Sequence, residues 1–246
     1  MTLHPTAGLG ALLALAGGVL ILVTRQGTPA GALAGFLVAL LAGLGLGAGS
    51  FLPLAIFVLG SGLLTRLGRA RKERLGAAEG DRGRRGLAHV AAKLSLPALA
   101  GVLAILGTMP TQALALVYVA SLAGAFADTA ATELGPVIGG PALGLRGGRL
   151  VSIPHGTPGG MSLAGFKAAA LASLAVALGG LAAGLLGTAG AIWTAAVAGF
   201  LASVLESFLA GTAAGARAGH FGRNVFLSLA SAGLALSARA FGWTGT

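Results

Sequence analysis

The sequence predicts an all-α polytopic membrane protein: a bundle of about eight (7–9) transmembrane helices forming a single integral membrane domain over residues 1–246. Three observations carry this. Of the 246 residues, 56% are hydrophobic and 9% charged, with a mean hydropathy of +0.92, whereas soluble domains carry about 25% charged residues. Apolar stretches of about 20 residues, long enough to cross a bilayer as helix, recur along the whole length. Most of the net charge of +10 falls between those stretches. A soluble fold would have to bury nearly every helix on all sides, which this length cannot supply.

The other compositional features agree. The 44 glycines would argue against helix in water. In lipid the backbone must bond to itself, and small residues let helices approach closely. The absence of cysteine excludes disulfide and thiol chemistry. The positive charge reads as a topology signal and contact with anionic lipid, not as a nucleic-acid surface.

The first span covers residues 7–24. No basic cluster precedes it and no convincing small-residue cleavage site closes it, so it reads as a retained helix, not a signal peptide. The run Arg25-Gln26-Gly27-Thr28-Pro29 ends it. The second span is 30–47, with Gly31 and Gly35 on a packing stripe. A turn at Gly47–Ser50 leads to the third, 51–65, with Pro53 in the first turn, where a missing N–H costs least.

Residues 66–86 then hold eight of the sixteen Lys and Arg residues. This marks a cytoplasmic loop, and cations such as Arg85 could also guide a polyphosphate toward a site. The fourth span, 87–106, contains His89 and Lys93, and residues 107–111 make the outer turn. The fifth, 112–127, returns at Asp128 to a cytoplasmic loop over 128–162. The sixth runs from about 162 to 186, the seventh (190–211) contains Glu206, and 212–223 form another basic inner loop. The last span, 224–241, ends near Trp243, an interfacial anchor. Fourteen Lys and Arg residues fall inside and only Arg239 lies near the outer end. Both termini are therefore expected outside. No internal repeat stands out, which disfavours the duplicated architecture common in secondary transporters.

Ionisable groups in such segments are expensive and point to function. Asp128 and Glu133 bracket T-A-A-T and would point about 140° apart on a continuous helix. They can share a site only across a common cleft or if the helix breaks near Gly135-Pro136. Helix-end capping is the plain alternative for both. Glu206 is the only acid in its span and needs a proton, a cation or a metal. Three carboxylates at one depth, Asp128, Glu133 and Glu206, would suit Mg²⁺, a hard cation often shared with substrate phosphates.

The segment Gly156-Thr157-Pro158-Gly159-Gly160-Met161-Ser162 leads into a helix. Glycines can turn successive N–H groups toward an anion, and the Thr157 and Ser162 hydroxyls could reach phosphate or metal. Ser162 as a simple helix cap is equally reasonable. No Gly-Lys-Ser/Thr follows, so this is not a Walker loop. Lys93 either snorkels or clamps a transferred phosphate. The four histidines give no zinc spacing.

These motifs resemble one known family. A-D-T-A-A-T-E-L-G from Ala127, G-T-P-G-G-M-S-L-A-G from Gly156, L-E-S-F-L-A-G-T from Leu205 and G-R-R-G-L-A-H-V from Gly83 are similar to segments of the DUF92/TMEM19-like integral membrane proteins. That family includes the chloroplast phytyl-phosphate kinases. The resemblance implies a Mg²⁺-dependent membrane phosphotransferase that uses a nucleoside triphosphate, with CTP suspected. It would convert an isoprenyl monophosphate of phytyl or geranylgeranyl type to the diphosphate.

On this reading Asp128, Glu133, Glu206 and Lys93 are catalytic, and the three acids hold the metal. Gly156, Thr157, Gly159, Gly160, Ser162, Arg85, Arg146 and Asn224 bind phosphate or substrate. The site opens on the cytoplasmic side. The chain departs from the family pattern at three points: Pro158 and Lys93 each replace an asparagine, and Asn224 is displaced by one position. The competing expectations are a lipid-phosphate transporter and a non-catalytic lipid-binding membrane protein. A carrier should place polar groups near mid-membrane, and the outer half of this sequence offers almost none.

Overall fold

A computed structural model describes residues 3–78 and 84–245. Residues 1–2, 79–83 and 246 lie outside the described residues, among them Arg82, the start of the Gly83 motif and the two chain ends. The helices are α1 (Ala7–Val23), α2 (Pro29–Leu46), α3 (Phe51–Arg66, led by a 3₁₀ turn at Ala48–Ser50), α4 (Arg69–Arg74), α5 (Leu87–Leu106), α6 (Thr111–Ile138), α7 (Leu163–Ala182), α8 (Ala189–Ala210) and α9 (Ala213–Ala240). Six of them, α2, α3 with its 3₁₀ turn, α5, α6, α7 and α8, are long and apolar enough to cross a membrane. Helix α1 is a shorter apolar helix of 17 residues, and α9 is longer but more polar, with 28 residues.

Local chemistry starts the helices where the polar punctuation lies. Thr28, Ser162, Thr188 and Thr212 each accept an N–H bond on the hydroxyl from the third residue onward, at 3.1 Å in every case. This satisfies a donor that the first helical turn leaves orphaned. Helix α5 stops at Gly107, which takes a left-handed conformation.

Helix α6 is the axis of the bundle. Its most apolar stretch is 94% buried, and it packs against α3, α5, α7, α8 and α9. Small residues make this crowding possible. A Cβ on Gly199 of α8 would stand 2.6 Å from the Gly124 amide nitrogen of α6, a backbone contact that cannot relax through a side chain. Tyr118 ties α6 to the start of α3 by donating to the Ser50 carbonyl at 2.8 Å. Gly199→Val is therefore expected to lower stability by about 1–3 kcal/mol through overpacking. Gly35→Ala, whose added carbon would meet Ile21 at an ordinary 3.5 Å, should leave the thermal midpoint in detergent unchanged.

Three expectations change. Residues 128–138 are not loop, because α6 continues through both acids to Ile138. Pro136 falls in its last turn, and Gly139 at φ 90 ends it. The following segment is not wholly irregular. Strands β1 (Ala142–Arg146), β2 (Arg149–Ile153) and β3 (Met161–Ser162) form an antiparallel sheet in the order β2-β1-β3. The inner segments 66–86 and 212–223 also carry helix. The first contains α4, and the second lies within α9, which breaks at Gly219 (φ 63, ψ −173).

Candidate functional site

The C-terminal end of α6, the sheet and the facing ends of α7, α8 and α9 enclose a cavity of about 240 Å³. Asp128 and Glu206 both line it, from α6 and α8, and their charges interact. Each acid has a cation. Lys93 of α5 donates to Asp128 Oδ2 at 2.8 Å and to Thr129 Oγ1 at 3.0 Å, and its Nζ also lies 3.5 Å from the Ala125 carbonyl. With 2% of its surface exposed, Lys93 does not snorkel. Burial of an ammonium demands such partners.

The second pair is looser. Arg223 Nε lies 3.1 Å from Glu206 Oε1, close enough for charge attraction but too poorly aligned for a hydrogen bond. The break at Gly219 precedes the turn of α9 that brings His220, Arg223 and Asn224 to the cavity wall. Asn224 is buried and donates from Nδ2 to the His220 carbonyl at 2.9 Å.

Glu133 behaves differently, and the expected meeting of three carboxylates does not occur. Five helical positions from Asp128 turn its side chain toward α3 and α4. There Oε1 accepts from Thr65 at 2.6 Å and Oε2 from Lys72 at 2.5 Å. Lys72 also donates to the Leu64 and Thr65 carbonyls at 2.9 and 2.8 Å, closing the C-terminal end of α3. Glu133 borders the cavity, but its two oxygens serve this staple. Among the described residues no group of three His, Cys, Asp or Glu side chains could hold a metal. Asp128 and Glu206 remain as a two-carboxylate pair, which suits Mg²⁺ when phosphate and water oxygens complete its shell.

The glycine turn closes the cavity from the side of the sheet. Gly156, Thr157, Gly159, Gly160 and Ser162 all line it. Gly159 adopts φ 80, and a Cβ there would stand 2.7 Å from the Ser207 carbonyl, so the turn lies against the end of α8. Gly160 N–H is bonded to the Thr157 carbonyl at 3.0 Å, and the Ser162 hydroxyl caps α7. These two groups therefore stabilise the turn, leaving fewer donors than a fully open anion nest would present.

Ten of the twelve proposed site residues line this one cavity: Lys93, Asp128, Glu133, Gly156, Thr157, Gly159, Gly160, Ser162, Glu206 and Asn224. Two do not. Arg146, on β1, is exposed and donates to the Pro158 carbonyl at 3.3 Å, bracing the turn from outside. Arg85 donates to Thr65 Oγ1 at 3.2 Å and lines a different cavity among α1, α2, α3 and α5. Sequence reasoning gave Arg223 a topological role alone, and Lys72 only a share in the topological and polyphosphate-guiding roles of the basic segment 66–86. A lone acid in an apolar span signals a cation partner, and Arg223 is near in sequence across the short α8–α9 turn.

The integral membrane protein DUF92 family model matches residues 12–221. The chain belongs to the DUF92 integral membrane family. It is also 36% identical over 165 residues to an uncharacterized membrane protein of Synechocystis sp.. The match covers 67% of this chain and 62% of that relative. No solved structure matches this DUF92 chain. The family match includes the α6 acids, the glycine turn and Glu206, so the cavity is built largely from family segments.

Proposed function

We propose that this DUF92 protein is a Mg²⁺-dependent phosphotransferase that moves the terminal phosphoryl group of a nucleoside triphosphate, CTP being the first to test, onto an isoprenyl monophosphate. The observation that carries the proposal is the pair of ion pairs on one cavity wall, Lys93–Asp128 and Arg223–Glu206. A magnesium nucleotide brings a cation and an anion together. Carboxylates can exchange their ammonium and guanidinium partners for the metal, while Lys93 and Arg223 take phosphate oxygens. The looser alignment of the Arg223–Glu206 pair favours that exchange.

Bound Mg²⁺ would neutralise charge on the phosphates, a task suited to Asp128 and Glu206 but not to the stapled Glu133. An oxygen of the isoprenyl monophosphate forms the new bond to the γ-phosphorus. The bond from that phosphorus to the β–γ bridging oxygen breaks, and its electron pair leaves with the nucleoside diphosphate. The acceptor oxygen is already ionised, so no side chain has to remove a proton. The chain's own contribution is alignment and electrostatic stabilisation.

In this arrangement α1 and α9 cross with the six long apolar helices, giving eight spans. The charge bias supports a cavity on the cytoplasmic side and both termini outside. The test is purified full-length protein with Mg²⁺, each nucleoside triphosphate in turn, and phytyl, geranylgeranyl or farnesyl monophosphate. Formation of the isoprenyl diphosphate, dependent on both metal and triphosphate, is expected. No diphosphate from any combination would overturn the proposal.

A further inference from the structure

The phosphotransferase reading leaves open where a lipid-tailed acceptor sits, and the 240 Å³ cavity is walled by the glycine turn and the acids. A second cavity, of about 110 Å³, lies among α1, α2, α3 and α5. Its rim is basic: Arg25 after α1, Arg66 at the end of α3 and Arg85 before α5. Arg66 donates one N–H to the Thr24 carbonyl at 2.7 Å, which holds its guanidinium at the rim. Arg25 sits at φ 55, a left-handed conformation that glycine would adopt at less steric cost.

Helix C-termini commonly carry such cations, and that alone would explain two of the three. The floor adds an independent observation. Ser61 is 5% exposed and lines this cavity, and its Oγ is buried with no hydrogen-bond partner among the described residues. A buried hydroxyl without a partner is unfavourable, and a ligand oxygen would satisfy it.

A third, almost wholly apolar cavity of about 70 Å³ continues from this one, sharing Ile21, Gly35, Val58 and Leu94 with it. Its remaining lining includes Leu20 and Leu59, both substantially exposed. Cationic rim, hydroxyl floor and apolar groove thus follow one another, with Gly35 at the neck. Lys93 lines both the basic cavity and the 240 Å³ cavity, so the two meet at that side chain.

We propose that the cavity among α1, α2, α3 and α5 seats the phosphate of a single-chain lipid monophosphate, with its hydrocarbon tail leaving past Gly35 along the apolar groove. The proposal deepens the phosphotransferase reading and rests on it for the isoprenoid nature of the tail. The sequence of surfaces matches an amphiphile with one anionic head. Free inorganic phosphate would leave the groove unfilled. A diacyl phospholipid would bring two tails to one narrow neck.

The test is equilibrium binding of tritiated geranylgeranyl monophosphate to the full chain in detergent, with nucleotide binding measured separately. Arg66→Gln and Arg25→Gln are expected to weaken lipid-phosphate binding about tenfold each, within the range of a lost charge-assisted contact. Gly35→Leu, which fills the neck, should weaken it at least as much, while Gly35→Ala stays within about twofold. Geranylgeraniol and inorganic phosphate should compete poorly, and nucleotide binding should be unchanged in all four variants. Undiminished binding in both arginine variants would overturn the proposal even if Gly35→Leu misfolds. So would equal competition by phosphatidylglycerol, which would reassign the cavity to a bilayer lipid. Loss of binding only on Arg223→Gln would place the lipid phosphate in the larger cavity instead. Lipid-phosphate binding that follows this pattern without any nucleotide binding would sink the phosphotransferase reading and leave this site standing.

Discussion

Asp128→Asn is expected to reduce diphosphate formation by on the order of 10²–10³-fold or more, the scale seen when a charge-stabilising group is removed from an active site. The substitution keeps the shape of the side chain but withdraws the charge proposed to hold the metal. It also strips Lys93 of its counter-ion, so lost activity alone could reflect a damaged fold. Thr129 Oγ1, which accepts from Lys93 at 3.0 Å in the unaltered protein, is untouched by the substitution, and Asp128 borders a cavity, which softens the electrostatic loss. Thermal unfolding in detergent separates the two effects. Asp128→Asn with Lys93→Met should regain whatever stability the single change loses, because no unpaired buried charge remains. It should regain no turnover. Turnover close to that of the unaltered protein in Asp128→Asn would remove this residue from the chemistry.

The second large effect concerns Glu133 and Lys72. Both side chains are almost fully buried, at 2% and 1% exposure, and their charged atoms are 2.5 Å apart. Lys72→Met leaves a carboxylate whose remaining hydrogen-bond partner among the described residues is Thr65, and should cost about 3–5 kcal/mol, the usual penalty for orphaning one member of a buried pair. Pairing Lys72→Met with Glu133→Leu removes both charges and should recover most of that loss. The double variant also decides what Glu133 does. As a staple of α3 and α4 onto α6 it can be replaced without abolishing diphosphate formation. Complete inactivity in a double variant of normal thermal midpoint would instead return Glu133 to the metal site.

The engagement of Glu133 with Lys72 and Thr65 was not legible in the sequence. The spans were legible because apolar runs and their glycine, proline and charged punctuation are one-dimensional features. The same holds for the cap residues Thr28 and Ser162. The common location of Asp128, Glu206, Asn224 and the glycine turn was also legible, since each falls at or beside an end of an apolar run. Which acid meets which base was not. Lys72 and Glu133 are 61 residues apart, and Lys72 reads as one more cation in a basic loop. Only the return of α4 beneath α3 turns it inward. The seat of Arg85 was hidden in the same way: its side chain reaches Thr65 and lines the cavity among α1, α2, α3 and α5. The short sheet was hidden as well, because A-L-G-L-R and R-L-V-S-I are too brief and glycine-flanked for alternation to register.

The central claim is that Asp128 and Glu206 hold a divalent ion against nucleotide phosphate. Electron paramagnetic resonance of Mn²⁺, used in place of Mg²⁺ with purified protein, reads this directly. The expected result is a bound-metal signal that appears only with nucleoside triphosphate, falls at least about tenfold in affinity in Asp128→Asn and in Glu206→Gln, and persists in the Lys72→Met, Glu133→Leu double variant. A signal of unchanged affinity in both single-acid variants, or no triphosphate-dependent signal in the unaltered protein, would contradict it.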